Sequence, residues 1–178
     1  MILFQKIRYK NFLSSGNQFT EIDFQKHHTN LVIGTNGAGK STMLDALTFV
    51  LFNKPFRKIN KPQLINATNE RDCLVEIEFE INTRKYIVRR GIKPTVFDIV
   101  VNGTELHREA DDRAMQRVLE DNILKVNYKS FTQIVILGSS TFVPFMQLTT
   151  SNRREVIEDL LDIRIFSLMN NILKDKIR

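Results

Sequence analysis

Eight residues, Gly34-Thr35-Asn36-Gly37-Ala38-Gly39-Lys40-Ser41, hold three of the seven glycines of a 178-residue chain. The apolar run Leu31-Val32-Ile33 stands directly before them, and after Lys40 the apolar positions Met43, Leu44, Leu47, Val50 and Leu51 recur at helical spacing. A strand, a glycine loop and a helix are therefore expected in that order. The spacing G-x-x-x-x-G-K-S is that of a phosphate-binding loop: without side chains the backbone can wrap a triphosphate, its N–H groups face the oxygens, and the new helix adds its positive end. Lys40 is expected to pair with the β- and γ-phosphates and the Ser41 hydroxyl to hold Mg²⁺. The expected contacts of this stretch are Asn36, Gly37, Ala38, Gly39, Lys40, Ser41 and Thr42, with ATP and Mg²⁺ as cofactors. A glycine turn that merely ended a strand would leave Lys40 without a purpose.

The composition suits a globular chain with a core of its own. Hydrophobic residues make up 42% and charged ones 26%, and no stretch reaches the roughly 18 uninterrupted apolar residues of a membrane span. No membrane partner is expected. The N-terminal MILFQKIRYKNF carries its lysines and arginine inside an apolar stretch, unlike a secretory signal. The lone Cys73 builds no disulfide framework and reads as a small filler beside a strand. A reducing interior follows. The net charge of +6 favours an anionic partner, either nucleotide phosphate or a nucleic-acid backbone. Basic residues cluster in KPFRKINK (Lys54 to Lys61) and RKYIVRRGIK (Arg84 to Lys93), each readable as a solvated face or as a DNA contact.

Two early strands are expected between Ile2 and Phe24, with a turn at Ser14-Ser15-Gly16-Asn17. Residues 53–71 contain two prolines and no sustained period, and read as a loop with a short helical turn. LVEIEFEI then alternates Val75, Ile77, Phe79 and Ile81 against Glu76, Glu78 and Glu80, a strand with one wet face. KYIVRR and FDIVVNGTEL extend this into a small antiparallel sheet, with a two-residue turn at Asn102-Gly103. The spacing of Ala114, Met115, Val118, Leu119 and Ile123 predicts a helix over 110–124, and FTQIVIL predicts another buried strand. From Ser151 or Asn152 an apolar stripe runs to the end without glycine or proline, one continuous helix in which Glu155 completes a capping box if Asn152 is the cap. His27, His28 and His107 have no metal-ligand spacing around them, and Asp45, one turn beyond Ser41, is expected to face away from the phosphates. Phe142, Phe145 and Met146 read as a docking patch or, more simply, as an apolar loop packed on the lobe.

The order KNFLSSGNQFTEIDF, NLVIGTNGAGKSTMLDALTFVLF, a sheet ending in the NG hairpin, SFTQIVILGSSTFVPFM and a long helix resembles the N-terminal half of the head of the ATP-binding-cassette ATPases of DNA double-strand break repair, the SbcC-like, SMC-related group. KPFR, QLINATN and VILGSSTFVPFM look most similar to its tailed-phage branch, the large subunits of recombination endonucleases. The resemblance implies an α/β fold: a P-loop ABC-ATPase N-terminal lobe with mixed and antiparallel sheet over residues 1–151, ending in the root of a coiled-coil helix over 152–178. It implies a C-terminal half of the same head carrying the acidic Mg²⁺ and base pair, the signature motif and the switch histidine. It further implies a second head that sandwiches ATP in a homodimer, a metallophosphatase-type nuclease subunit and double-stranded DNA, all in the cytoplasm, that of the host cell if phage-encoded.

The same resemblance brings Asn66, Ala67 and Thr68 to the nucleoside and exposes two departures. Leu13 stands where related heads carry an arginine that reaches the nucleotide. Ser139 stands where they end a strand with a glutamine sensing Mg²⁺ and γ-phosphate, and Gln133 is left inside the strand as a structural residue; either Ser139 works through water or that loop's role is weakened. Two other functions compete with an ATPase that controls a nuclease. One is a non-catalytic, nucleotide-dependent DNA-clamping module of SMC type. The other, a small P-loop phosphotransferase, is disfavoured by the antiparallel, glutamate-alternating sheet after the first helix.

Overall fold

Alternation in the sequence becomes a two-faced strand, β3 (Cys73–Ile81), near the middle of a six-stranded antiparallel sheet ordered β2-β1-β3-β4-β5-β6. Its partners are β1 (Ile2–Lys10), β2 (Thr20–Asp23), β4 (Arg84–Ile92), β5 (Val96–Val101) and β6 (Thr104–Glu105). The computed structural model describes residues 2–106, 111–136, 145–161 and 163–177. Two units, Met1–Gln116 and Arg117–Arg178, are each compact.

On one face of the sheet, Ile7, Ile77, Val88 and Ile99 stand opposite one another across β1, β3, β4 and β5, and all four are fully buried. Each such side chain contributes about 1.5–3 kcal/mol by leaving water. One residue further along, the opposite face carries Glu21, Arg8, Glu76, Arg89 and Asp98 in register, a row of alternating sign across five strands. Glu76, itself buried, accepts from Arg8 Nη2 at 2.5 Å and from Arg89 Nε. Opposite charges directly across strands favour this register over any slip. The Asn102-Gly103 turn forms as expected, with φ of 51° and 84°.

Helix α1 (Thr42–Phe52) lies on the apolar face, with Phe49 and Phe12 ring centroids 5.6 Å apart. It stops at Asn53, whose left-handed φ of 57° turns the chain while its N–H donates to Phe49 O at 2.8 Å. Arg90 holds the same end from the sheet. Buried on β4 with its guanidinium 3.7 Å above the Phe97 ring, it donates Nε to Val50 O at 3.1 Å and Nη2 to Gln116 Oε1 at 2.6 Å. Gln116 Nε2 in turn donates to Leu51 O at 2.9 Å. A cation at a helix C-terminus meets the negative end of its dipole. The basic run 84–93 is thus partly core: Arg89 serves Glu76 and Arg90 serves α1.

Four expectations are corrected. Leu31-Val32-Ile33 form no strand and pair with nothing among the described residues; Leu31 and Ile33 are 82% and 83% exposed. An apolar run becomes a strand only where another strand is there to take its N–H and C=O groups. FTQIVIL is not a strand over its described part either: Tyr128–Ile134 form α3, so Gln133 lies on a helix. Asn127 nucleates it, its side chain accepting from Ser130 N at 2.9 Å, and Lys129 Nζ fastens it to α4 through Glu155 at 2.9 Å. This local cap outweighs the β-branched composition of the stretch. The final helix starts at Thr150, two residues before Asn152, and is two helices, α4 (Thr150–Leu160) and α5 (Arg164–Ile177). The 110–124 helix divides into α2 (Asp112–Arg117) and a π-helical stretch, Val118–Leu124, closed by Lys125 at φ 54°. Ser139, Phe142 and His107 lie outside the described residues. No helix among the described residues is long and apolar enough to cross a membrane.

Candidate functional site

The glycine loop is shaped by conformations that side chains oppose. Gly37 and Gly39 adopt φ of 87° and 88°, open to glycine and strained for other residues. Turning on these points, the loop closes with Ala38 N donating to Thr35 O at 3.2 Å and Thr42 N to Gly39 O at 3.0 Å. The amides of Gly39, Lys40 and Ser41 have no backbone partner among the described residues, so three consecutive donors stand at the start of α1. Lys40 folds over the loop, Nζ donating to Gly34 O at 2.7 Å and Thr35 O at 2.8 Å. An ammonium has three N–H bonds, and the third is available to an anion in the cradle. The Ser41 side chain makes no cap hydrogen bond.

Around this cradle opens a cleft of about 480 Å³, lined by Asn36, Gly37, Gly39, Lys40, Ser41 and Thr42 and by residues the glycine pattern does not announce: Leu13 and Ser14 from the β1–β2 connection, and Arg57, Ile59, Gln63, Ile65 and Ala67 from the segment after α1. Ser14 Oγ lies 3.6 Å from where a Cβ on Gly39 would stand. Leu13, where an arginine was the expectation from related heads, presents an apolar side chain at φ 53°. Aliphatic Leu13, Ile59, Ile65 and Ala67 share this lining with polar Ser14, Arg57 and Gln63. Amide donors beside such a mixed wall suit a molecule with an anionic tail and an organic head.

Asp45 accounts for Arg57. The carboxylate is fully buried, Oδ1 accepting from the Arg57 backbone N–H at 2.9 Å and Oδ2 from Arg57 Nε at 2.7 Å and Nη2 at 2.6 Å. Such a fork-shaped pair fixes the guanidinium's plane as well as its charge. Arg57 thereby leaves the solvated basic run that the sequence suggested and joins the cleft wall. Thr68 and Asn66 do not line the cleft: Asn66 lies behind it, and the Thr68 N–H donates to Asn66 Oδ1 at 2.9 Å.

The donor set fits a magnesium nucleotide. Among the described residues no group of three or more His, Cys, Asp or Glu could hold a metal alone, and Mg²⁺ characteristically takes one or two protein oxygens, phosphate oxygens and water. The unengaged Ser41 hydroxyl beside the amide cradle offers such an oxygen.

Over residues 6–176 the chain matches the family described as AAA domain (AAA_23). It belongs to that family. Its relatives are SbcC-like, SMC-related ATPases. It is 44% identical over 169 residues to exonuclease subunit 2 of Enterobacteria phage T4, a match covering 95% of this chain and 30% of that protein. It is 27% identical over 168 residues to the DNA double-strand break repair Rad50 ATPase of Thermoplasma volcanium, covering 91% of this chain and 18% of that one. The chain thus spans under a third of these relatives. Among solved structures it resembles the Smc head domain from Pyrococcus furiosus that carries an extended coiled coil and is bound to the C-terminal domain of ScpA. There the TM-score is 0.70 at 22% identity, with 99% of this chain and 46% of that one covered. That likeness shows the fold, the α/β lobe of an ATPase head.

Proposed function

We propose that this chain is the ATP-binding half of an ATPase head that governs a DNA-processing nuclease. The observation that carries the reading is the cradle of Gly39, Lys40 and Ser41 amides under the Lys40 ammonium, opening on a cleft whose lining mixes polar and aliphatic side chains. The amides would hold phosphate oxygens, Lys40 would pair with the β- and γ-phosphates, and the Ser41 hydroxyl would give Mg²⁺ its protein oxygen, the chemistry of that ion being to neutralise phosphate charge. Thr42 and Asn36 border the phosphates, and Ala67 borders the nucleoside.

In-line attack also needs a group to orient water and positive charge facing the leaving phosphate. We assign these to a C-terminal half of the head and to a second head in a dimer, with a metallophosphatase-type nuclease and double-stranded DNA as further partners in the cytoplasm. Two surfaces support this. Leu31–Ile33 present an unpaired apolar run beside the phosphate loop, and on α5 the side chains of Ile165, Phe166, Met169, Ile172 and Leu173 form an exposed apolar stripe. Such surfaces mark places where another segment packs.

Titration of the full chain with Mg-ATP in a calorimeter tests the reading. Lys40→Ala abolishes the heat of binding while far-UV dichroism and melting stay unchanged, because the Lys40 side chain lies on the loop and not in the core; retained affinity in the folded variant removes the phosphate-loop assignment. Ser41→Ala mainly weakens the Mg²⁺ dependence. The 178-residue chain alone releases phosphate negligibly and gains turnover when a C-terminal half is supplied.

A further inference from the structure

Asparagine is followed by glycine twice in this chain, at Asn36-Gly37 in the glycine loop and at Asn102-Gly103 in the turn between β5 and β6. Both pairs are exposed, the glycines adopt φ of 87° and 84°, and a Cβ added to either would meet nothing within 4 Å. Both glycine nitrogens are therefore open to approach, and the asparagines differ. Asn102 is held at two points: its Oδ1 accepts from Lys85 N at 2.9 Å, and its backbone N donates to Lys85 O at 2.9 Å. Asn36 makes no side-chain hydrogen bond among the described residues. A single long bond, Ala38 N to Thr35 O at 3.2 Å, closes the turn around it.

This difference decides a reaction that needs nothing but water. When the glycine nitrogen loses its proton and attacks the asparagine Cγ, the new N–C bond closes a five-membered imide. The Cγ–Nδ2 bond breaks, and the side-chain nitrogen takes up that proton and leaves as ammonia. Water then opens the ring at either carbonyl, to aspartate or to isoaspartate. The attacking residue must be uncrowded, which glycine ensures, and the asparagine side chain must be free to swing onto it.

We propose that Asn36 is a site of spontaneous deamidation, which places a carboxylate in the phosphate loop of an unliganded chain and ends its nucleotide binding, whereas Asn102 is spared by its hairpin. Asn36 and Gly37 line the cleft with Lys40 and Ser41. A negative charge there repels phosphate and competes with it for the Lys40 ammonium. Isoaspartate also inserts a carbon into the main chain and displaces the Gly37 and Ala38 amides. A nucleotide seated on the loop holds the turn shut and slows the reaction in proportion to occupancy. That protection and the loss of binding rest on the nucleotide reading of the cleft; the contrast between the two asparagines does not.

Incubation of the full chain in warm, mildly alkaline buffer, with peptide mapping by mass spectrometry at intervals, follows both pairs in one sample. Asn36 deamidates about tenfold faster than Asn102, the factor that two intact hydrogen bonds impose. In urea the two rates converge to within about twofold. Equal rates in the folded chain overturn the proposal, and so does a difference that survives urea, since it would come from the flanking residues and not from the fold. Mg-ATP at about ten times its Kd slows Asn36 by about tenfold and leaves Asn102 unaffected. By calorimetry the fully aged chain, and freshly made Asn36→Asp, bind Mg-ATP at least about tenfold more weakly than the fresh chain while melting as it does. If Asn36 reacts fast and the aged chain binds as before, the carboxylate is harmless and the proposal falls. If the fresh chain does not bind Mg-ATP at all, the phosphate-loop reading falls with the loss of function proposed here, while the tenfold contrast between the asparagines stands.

Discussion

Two stretches of this chain carry nearly equal apolar weight in sequence and meet opposite fates. Val75, Ile77 and Phe79 on β3 are fully buried, flanked by β1 and β4 and covered by α1, whereas Leu31, Val32 and Ile33 are exposed and have no partner strand among the described residues. Hydrophobicity is the same on both sides of the comparison, and hydrogen-bond supply is different. β3 pairs with β4 across a two-residue turn and with β1 from the start of the sequence, so both of its edges are taken. Among the described residues no strand stands beside the Leu31 run. An exposed run of this kind marks a place where another segment can pack.

The widest separation between the two comes from a charge. Ile77→Asp places an unpaired carboxylate in the middle of the sheet and costs about 4 kcal/mol, enough to abolish cooperative melting by circular dichroism. Leu31→Ser with Ile33→Ser changes the stability of this chain by no more than about 0.5 kcal/mol, since neither side chain loses packing. The same double variant weakens association with a supplied C-terminal half by about tenfold or more, read by analytical ultracentrifugation. A large loss of stability from the double serine change would break the comparison, because it would mean the run is already packed.

The smallest effect is a pH dependence at the edge of β3. Burial pushes the Cys73 thiol up to about 12 from an ordinary 9.0. The folded state therefore holds the thiol proton more tightly than the unfolded chain. That contribution is complete below pH 9 and drains away as pH rises from 9 towards 12. Cys73→Ser in urea melts at pH 8 and pH 10.5 checks the sign: the unmodified chain loses more stability between the two pH values than the variant. Alkylation of Cys73 at pH 8 proceeds only as fast as the strand opens.

What could be read beforehand follows the reach of each interaction. The glycine loop, the β3 alternation and the Asn102-Gly103 turn are legible because their causes lie within a few residues. Arg57 and Asp45 are twelve positions apart with no periodic relation, so the fork that brings Arg57 to the cleft leaves no trace in a pattern. The bonds of Asn66 to Leu13 O and Ser15 O, and of Asn69 to Asn11, are less visible still, since these asparagines are ordinary residues until two connections meet. α3 is masked by the opposite cause: FTQIVIL satisfies a strand pattern, and the deciding residue, Asn127, lies outside it. The break after Leu160 has no glycine or proline to announce it.

Arg90 turns α1 into a strut. Its guanidinium and the Gln116 amide grip the carbonyls of Val50 and Leu51 at one tip, while the opposite tip begins at the glycine loop. A rod pinned at its tail resists displacement along its axis, so a force applied at its head passes through Arg90 to the β4–β5 hairpin.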